Sequence, residues 1–133
     1  MRVMIDTNIF ISAVLFPDGK ASAALTKALL PPYQPVTSDY VLGELRRKFE
    51  EKFPDRTHNL ETFLHTALTV IEVVKTPKKI LSDEALIRDE KDRPILRAAL
   101  STRIDYFLTG DKDFLESAVE DPHIISVADF LVL

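Results

Sequence analysis

The sequence predicts an α/β protein, a three-layer α/β/α sandwich built around a central parallel sheet. Short apolar runs alternate with helical patterns along the whole chain, and that order joins parallel strands through crossover helices. Two of the runs, Val3-Met4-Ile5 and Tyr106-Phe107-Leu108, are followed within a few residues by aspartate. Open parallel sheets bind their ligands just outside the carboxyl ends of strands. No repeat, low-complexity stretch or linker divides the 133 residues, so residues 1–133 are read as one domain. A chain of this size buries roughly two-thirds of its unfolded surface.

Arg2 to Ile5 are expected to form a short buried strand, so that the fold starts almost at residue 1. Asp6-Thr7-Asn8 offers small polar side chains that cap a helix, and Ile9 to Leu15 continue it to the turn Pro17-Asp18-Gly19. Ala21 to Leu30 make a second helix, stopped by Pro31-Pro32 because proline lacks the amide hydrogen and crowds the preceding turn. Val36-Thr37 is a minimal strand. Ser38 or Asp39 then caps a helix to about Phe53, in which Val41, Leu42, Leu45 and Phe49 keep the spacing of one buried face. Pro54-Asp55 marks a break, residues 56–69 are again helical, and Ile71 to Val74 read as a strand. Residues 76–91 are charged and without period, a loop with one short turn. Pro94 suits the first turn of a helix, which places Asp92 at the start of a helix from Arg93 to about Thr102. Tyr106 to Thr109 form a strand, Gly110 turns the chain, and Asp111 opens a helix through about Val119. Ile124 to Val127 are the last strand, before a short helical tail.

Composition removes several function classes. There is no cysteine, which excludes disulfides, thiolate zinc sites and a cysteine nucleophile, and which suits a reducing compartment. No apolar run approaches the ~18 residues of a membrane span, and Asp6 interrupts any signal-peptide core; a soluble, cytoplasmic protein without membrane partners is expected. His58, His65 and His123 have no metal or triad spacing, and Gly19, Gly43 and Gly110 build neither a P-loop nor a dinucleotide fingerprint. The formal charge of −4, from 21 acids and 17 bases, looks wrong for a nucleic-acid binder. Acids gathered on one metal site would inflate that count, and the bases are uneven along the chain.

Asp6 and Asp111 follow strands, and each could serve only as a helix cap favoured by the helix dipole. Asp92 has the same alternative, with Asp89 and Glu90 close by. Glu44 lies beside the apolar stripe of its helix, where a carboxylate needs a partner; Lys48 at i+4 is one and a cation is another. If the four converge, they repel and raise one another's pKa unless a divalent ion intervenes. All-oxygen ligation suits magnesium or manganese, and such ions assist phosphoryl chemistry.

These residues resemble a known family. Ile5-Asp6-Thr7-Asn8, Ser38-Asp39-Tyr40-Val41-Leu42-Gly43-Glu44-Leu45, Arg88-Asp89-Glu90-Lys91-Asp92-Arg93-Pro94-Ile95-Leu96 and Thr109-Gly110-Asp111-Lys112-Asp113-Phe114-Leu115 are similar, in order and spacing, to the motifs of PIN domains. Ile124 to Leu131 resembles the ending of a prokaryotic branch described as toxins of toxin–antitoxin pairs, akin to VapC. The resemblance implies a magnesium- or manganese-dependent endoribonuclease with an RNA substrate, often dimeric and often held by a small antitoxin. Its catalytic acids would be Asp6, Glu44, Asp92 and Asp111, with Asp113 sharing or replacing Asp111 at the metal. Thr7, Asn8 and Thr109 would support the acids or face the substrate. Arg46, Arg47, Arg93 and Arg97, neighbours of Glu44 and Asp92, are candidate RNA contacts.

The alternative function is a catalytically weak or silent domain of the same fold that binds RNA or protein; the presence of all four acids argues against it. A phosphatase of the haloacid dehalogenase type would need an acid where Asn8 stands. A phosphoreceiver domain would need a mid-sheet aspartate that has no candidate here.

Overall fold

The computed structural model describes residues 1–133. The strands are β1 (Arg2–Ile5), β2 (Gln34–Ser38), β3 (Glu72–Val74), β4 (Tyr106–Leu108) and β5 (His123–Ile125). They form a single sheet in the order β3-β2-β1-β4-β5, and every pairing is parallel. β1 is therefore central, with Ile5 opposite Leu108 of β4. Val3, Met4 and Ile5 are all fully buried. Successive strand residues point to opposite faces, so helices must cover both, which is the three-layer arrangement expected.

The helices are α1 (Thr7–Leu15), α2 (Lys20–Ala28), α3 (Asp39–Lys52), α4 (Thr57–Ala67), α5 (Arg93–Ser101), α6 (Lys112–Leu115) and α7 (Val127–Leu131). α1 packs against α2, α3 and α4, α2 against α7, and α3 against α5. α3 starts where the sequence places it: the Ser38 hydroxyl accepts from the Val41 amide at 3.2 Å. Its stripe of Val41, Leu42, Leu45 and Phe49 is buried. No single helix is long and apolar enough to cross a membrane.

The boundaries that differ have local causes. The helix opened by Asp111 ends at Leu115 rather than near Val119. The Ser117 hydroxyl bonds the Phe114 carbonyl and also accepts from the Val119 amide, and such bonds compete with the helical ladder. The last strand stops at Ile125, because Ser126 turns to cap α7 by accepting from Asp129. β2 is longer than Val36-Thr37, and includes Pro35 near its start, where a missing amide hydrogen is tolerated.

Residues 76–91, expected as a loop with one turn, contain a short 3-10 segment at Ser82–Leu86 and are held from beneath. Arg97 of α5 reaches Glu84 through Nε and Nη2, each at 2.8 Å, and donates from Nη1 to the Pro77 carbonyl at 3.0 Å. Glu84 is 3% exposed and also accepts from the Leu81 amide. Arg93 Nε donates to the Ile87 carbonyl, and the Tyr40 hydroxyl to that of Lys91. A segment without hydrophobic period is thus fixed by a buried ion pair. Breaking such a pair from one side strands the other charge. We expect Arg97→Met to lower unfolding free energy by about 3 kcal/mol, read as a lower urea midpoint at unchanged m-value. A loss below about 0.5 kcal/mol would mean that the pair does not anchor the segment.

Candidate metal centre and nucleic-acid groove

The site begins at the carboxyl end of β1. The Asp6 amide donates to the Leu108 carbonyl at 3.1 Å, so the side chain leaves the sheet where β1 and β4 meet. One carboxylate oxygen, Oδ1, accepts from the Thr7 amide at 2.7 Å, capping α1. The other, Oδ2, accepts from the Thr109 hydroxyl at 2.6 Å. The Thr109 hydroxyl in turn accepts from the Asp111 amide at 3.0 Å. On the opposite flank, the Thr7 hydroxyl donates to Glu44 Oε1 at 2.5 Å. A polar chain therefore runs Glu44–Thr7–Asp6–Thr109–Asp111 across the tops of β1 and β4 and onto α3. Thr7 and Thr109 are buried; they hold the acids and do not face outward. Asn8 Oδ1 accepts from the Gly110 amide at 3.3 Å and ties the β4 turn to α1.

Two of the capping alternatives hold alongside any other role. Asp6 caps α1, and Asp111 caps α6 by accepting from the Asp113 amide at 2.9 Å. Asp92 differs: it occupies the cap position of α5, but its side chain makes no capping hydrogen bond. Glu44 is 6% exposed, and Lys48 approaches it only to 3.9 Å, so the i+4 pair leaves its carboxylate weakly compensated.

Electrostatics register how near these groups are. Burial pushes the Asp6 carboxyl up to about 6; the bonds from Thr109 and Thr7 pull it down, and the charges of Glu44 and Asp111 add to the rise. Burial also pushes Asp92 up, with Asp111, Asp6, Asp89 and Glu44 reinforcing it, to about 7. Asp89, Asp92 and Asp113 bring carboxylate oxygens within 4.8 Å of one another. Arg88, itself highly exposed, pairs with Asp113 at this rim. Arg88 and Asp89 stand out in the sequence only through the motif around Asp92, where Asp89 is one of three neighbouring acids. The donor set, carboxylates with one half-buried member lacking a partner, fits a hard divalent cation rather than a soft one.

Beside the acids lies a groove of about 640 Å³, lined by Tyr40, Glu44, Arg47, Lys48, Glu51, Lys52, Asp89, Lys91 and Asp92. Of the arginines singled out in the sequence, the structure brings only Arg47 to it. Arg46 turns toward α4 and pairs with Glu61 at 2.9 Å. Arg97 is spent on Glu84, and Arg93 on the Ile87 carbonyl and, at 3.8 Å, Glu90. These three lie outside the groove, each beside its own carboxylate, a contact that nearness in sequence to Glu44 or Asp92 does not reveal. Lys48 and Lys52 share the Glu44 face at helical spacing, a pattern that was readable; Lys91 was not.

Fold and site together define a parallel α/β/α protein with an acidic centre at the carboxyl ends of its central strand β1 and the neighbouring β4. The family model described as PIN domain matches residues 2–113, and the chain belongs to the PIN-domain family. An uncharacterized protein of Methanocaldococcus jannaschii is 28% identical over 127 residues, covering 93% of this chain and 79% of its own. Among solved structures, VapBC2 from Rickettsia felis, bound to a DNA fragment from its promoter, has a TM-score of 0.71 at 18% identity, covering 95% of this chain and 98% of its own. A toxin–antitoxin complex from Klebsiella pneumoniae has a TM-score of 0.63 at 22% identity, with coverage of 94% and 97%. VapC20 of Mycobacterium tuberculosis, a sarcin–ricin loop cleaving toxin, has a TM-score of 0.61 at 15% identity, with coverage of 86% and 93%. At these identities the likeness is one of fold.

The raised carboxyls set the sign of a pH effect. Both aspartates have an ordinary value of 3.8. Between about pH 4 and 7 the folded, metal-free protein holds protons that the unfolded chain has released, so stability falls as pH rises through that window. Glu84, held low chiefly by its bonds from Arg97, gives its full contribution above its ordinary value of 4.5 and does not offset the trend. Asp6→Asn removes the most deeply buried of the charges. It is expected to raise metal-free stability at about pH 8 by about 1 kcal/mol and to flatten the decline. Urea unfolding in EDTA across the range tests this, and a parent that gains stability from pH 5 to 8 would contradict it.

Proposed function

We propose that this chain is a magnesium- or manganese-dependent endoribonuclease, and the toxin of a toxin–antitoxin pair acting in the cytoplasm. The observation that carries the reading is Asp92: a helix-start carboxylate that caps nothing, half-buried, and facing the fields of Asp6, Glu44, Asp89 and Asp111. That arrangement costs free energy in the isolated protein. A bound divalent cation would offset that cost. Asp6, Glu44, Asp92 and Asp111 would hold the ion, with Asp113 beside Asp92. When bound, magnesium or manganese neutralises phosphate charge and activates water for attack.

The chain's own residues supply position and charge. Thr7 and Thr109 fix both oxygens of Asp6, and Thr7 also fixes Glu44, so the ligands are oriented before the ion arrives. Asp92, whose carboxyl is raised to about 7, would have to lose its proton to hold the ion, so loading should strengthen as pH rises through that value. The groove brings an RNA strand past Glu44 and Asp92. The proposal of a small antitoxin partner draws support from the fold shared with the Klebsiella pneumoniae toxin–antitoxin complex, and that of ribonuclease activity from the fold shared with the cleaving toxin of Mycobacterium tuberculosis. A homodimer completes the proposal by the family resemblance.

Purified full-length protein should cut single-stranded RNAs internally with magnesium or manganese and not with EDTA. Asp6→Asn and Asp92→Asn should fold, yet cleave at least roughly a hundredfold more slowly. Magnesium should raise the melting temperature of the parent, as a ligand of the native state does, and leave that of Asp6→Asn nearly unmoved. Cleavage by Asp6→Asn at the parental rate would remove the acids from the chemistry.

A further inference from the structure

The groove beside the acids has a direction. Glu44, Arg47, Lys48, Glu51 and Lys52 lie at successive turns on one side of α3 and line it, and Asp89 and Lys91, from the segment before α5, complete the lining. Arg47, Lys52 and Lys91 are exposed. Their charged groups make none of the molecule's ion pairs or side-chain hydrogen bonds, whereas Arg2, Arg46, Arg88, Arg93 and Arg97 are each engaged by a carboxylate. Lys48 is held by Glu44 only at 3.9 Å. Most of the seventeen bases make no ion pair, and three of those, Arg47, Lys52 and Lys91, stand together beside the acids despite a net charge of −4. Tyr40 is the only aromatic side chain in the groove, and its hydroxyl is fixed to the Lys91 carbonyl at 2.7 Å.

We propose that Arg47, Lys48 and Lys52, together with Lys91, grip the phosphates of a single RNA strand that leaves the acidic centre along α3 toward Lys52, with Tyr40 offering its ring to a base near the acids. The assignment rests on the nuclease reading for the identity of the strand. From Glu44 to Lys52 the helix rises about 12 Å, the scale of a few nucleotides and well short of the ~34 Å turn of a duplex. A walled groove of this length with one aromatic ring suits phosphate-plus-stacking capture of a single strand. A duplex is instead held across its wide minor groove by contacts spread over a broad face. Glu51 and Asp89, interleaved with the bases, keep the grip weak enough for products to leave.

The test uses full-length protein carrying Asp6→Asn, so that bound RNA survives, and a fluorescent single-stranded oligoribonucleotide in magnesium buffer. Adding Arg47→Ala, Lys52→Ala and Lys91→Ala should weaken binding by about tenfold or more at low salt. It should also reduce the slope of log affinity against log salt by about 2, as expected for the loss of three phosphate contacts on a single strand. Lys75→Ala, Lys78→Ala and Lys79→Ala, charges that lie outside the groove, should change both by little. Tyr40→Leu should weaken binding without changing the salt slope. Equal losses from the two triple variants, or equal competition by a duplex of the same sequence, would overturn the strand path. The cleavage assay separates the two claims. If the parent cleaves RNA but the groove triple variant binds normally, the path is wrong and the nuclease stands. If the parent cleaves nothing yet binds through these residues, the path stands and the nuclease falls.

Discussion

Asp6 is buried at the junction of β1 and β4 with both carboxylate oxygens already committed, Oδ1 to the Thr7 amide and Oδ2 to the Thr109 hydroxyl. A carboxylate there is tolerable only if its oxygens are bonded and its neighbours are fixed. That requirement draws the rest of the site together. Thr7 must start a helix in order to donate from its amide, and its hydroxyl then reaches Glu44 on α3. Thr109 must sit where β4 ends, and its hydroxyl then catches the Asp111 amide. The register that sets Ile5 beside Leu108 brings these partners level. No buried side-chain polar atom is left without a partner, so the network is closed on the protein side while its charges remain uncompensated. The hydrogen bonds of the centre are satisfied and its charges are not, which distinguishes it from a structural salt bridge.

The distribution of cations follows the same logic. Several bases close in sequence to the acids are used in holding the frame: Arg46 on α4, Arg93 and Arg97 on the segment that carries Asp89 and Lys91. The buried pair of Arg97 and Glu84 is costly to assemble, and its value is in specifying one conformation for residues 76–91, which carry no hydrophobic period to do so. Among the bases left free, Arg47, Lys52 and Lys91 line the groove. Net charge alone is a poor guide here, because repulsion at the centre and attraction along the wall are separated by only a few side chains.

Much of this was legible in the residues. Apolar runs ending in aspartate located β1 and β4 and their parallel arrangement, since crossover helices leave few other topologies. The stripe on α3 fixed which way Glu44 would face relative to Leu42 and Leu45. Local competition between side chains and backbone was harder to weigh: Ser117 ended α6 early, and Ser126 converted the end of β5 into a cap.

The sequence by itself determined the fold class, the strands that carry acids and the order of the motifs, because hydrophobic periodicity and capping act over a few neighbouring residues. Only the tertiary structure decided which charges are free. Whether Arg97 meets Glu84 or a solvent-facing groove, whether Asp92 caps α5 or feels the charge of Asp111, and whether Lys91 shares a groove with Arg47 all depend on contacts between residues far apart in the chain. Those contacts are set by how the layers pack, and adjacency along one helix does not contain them.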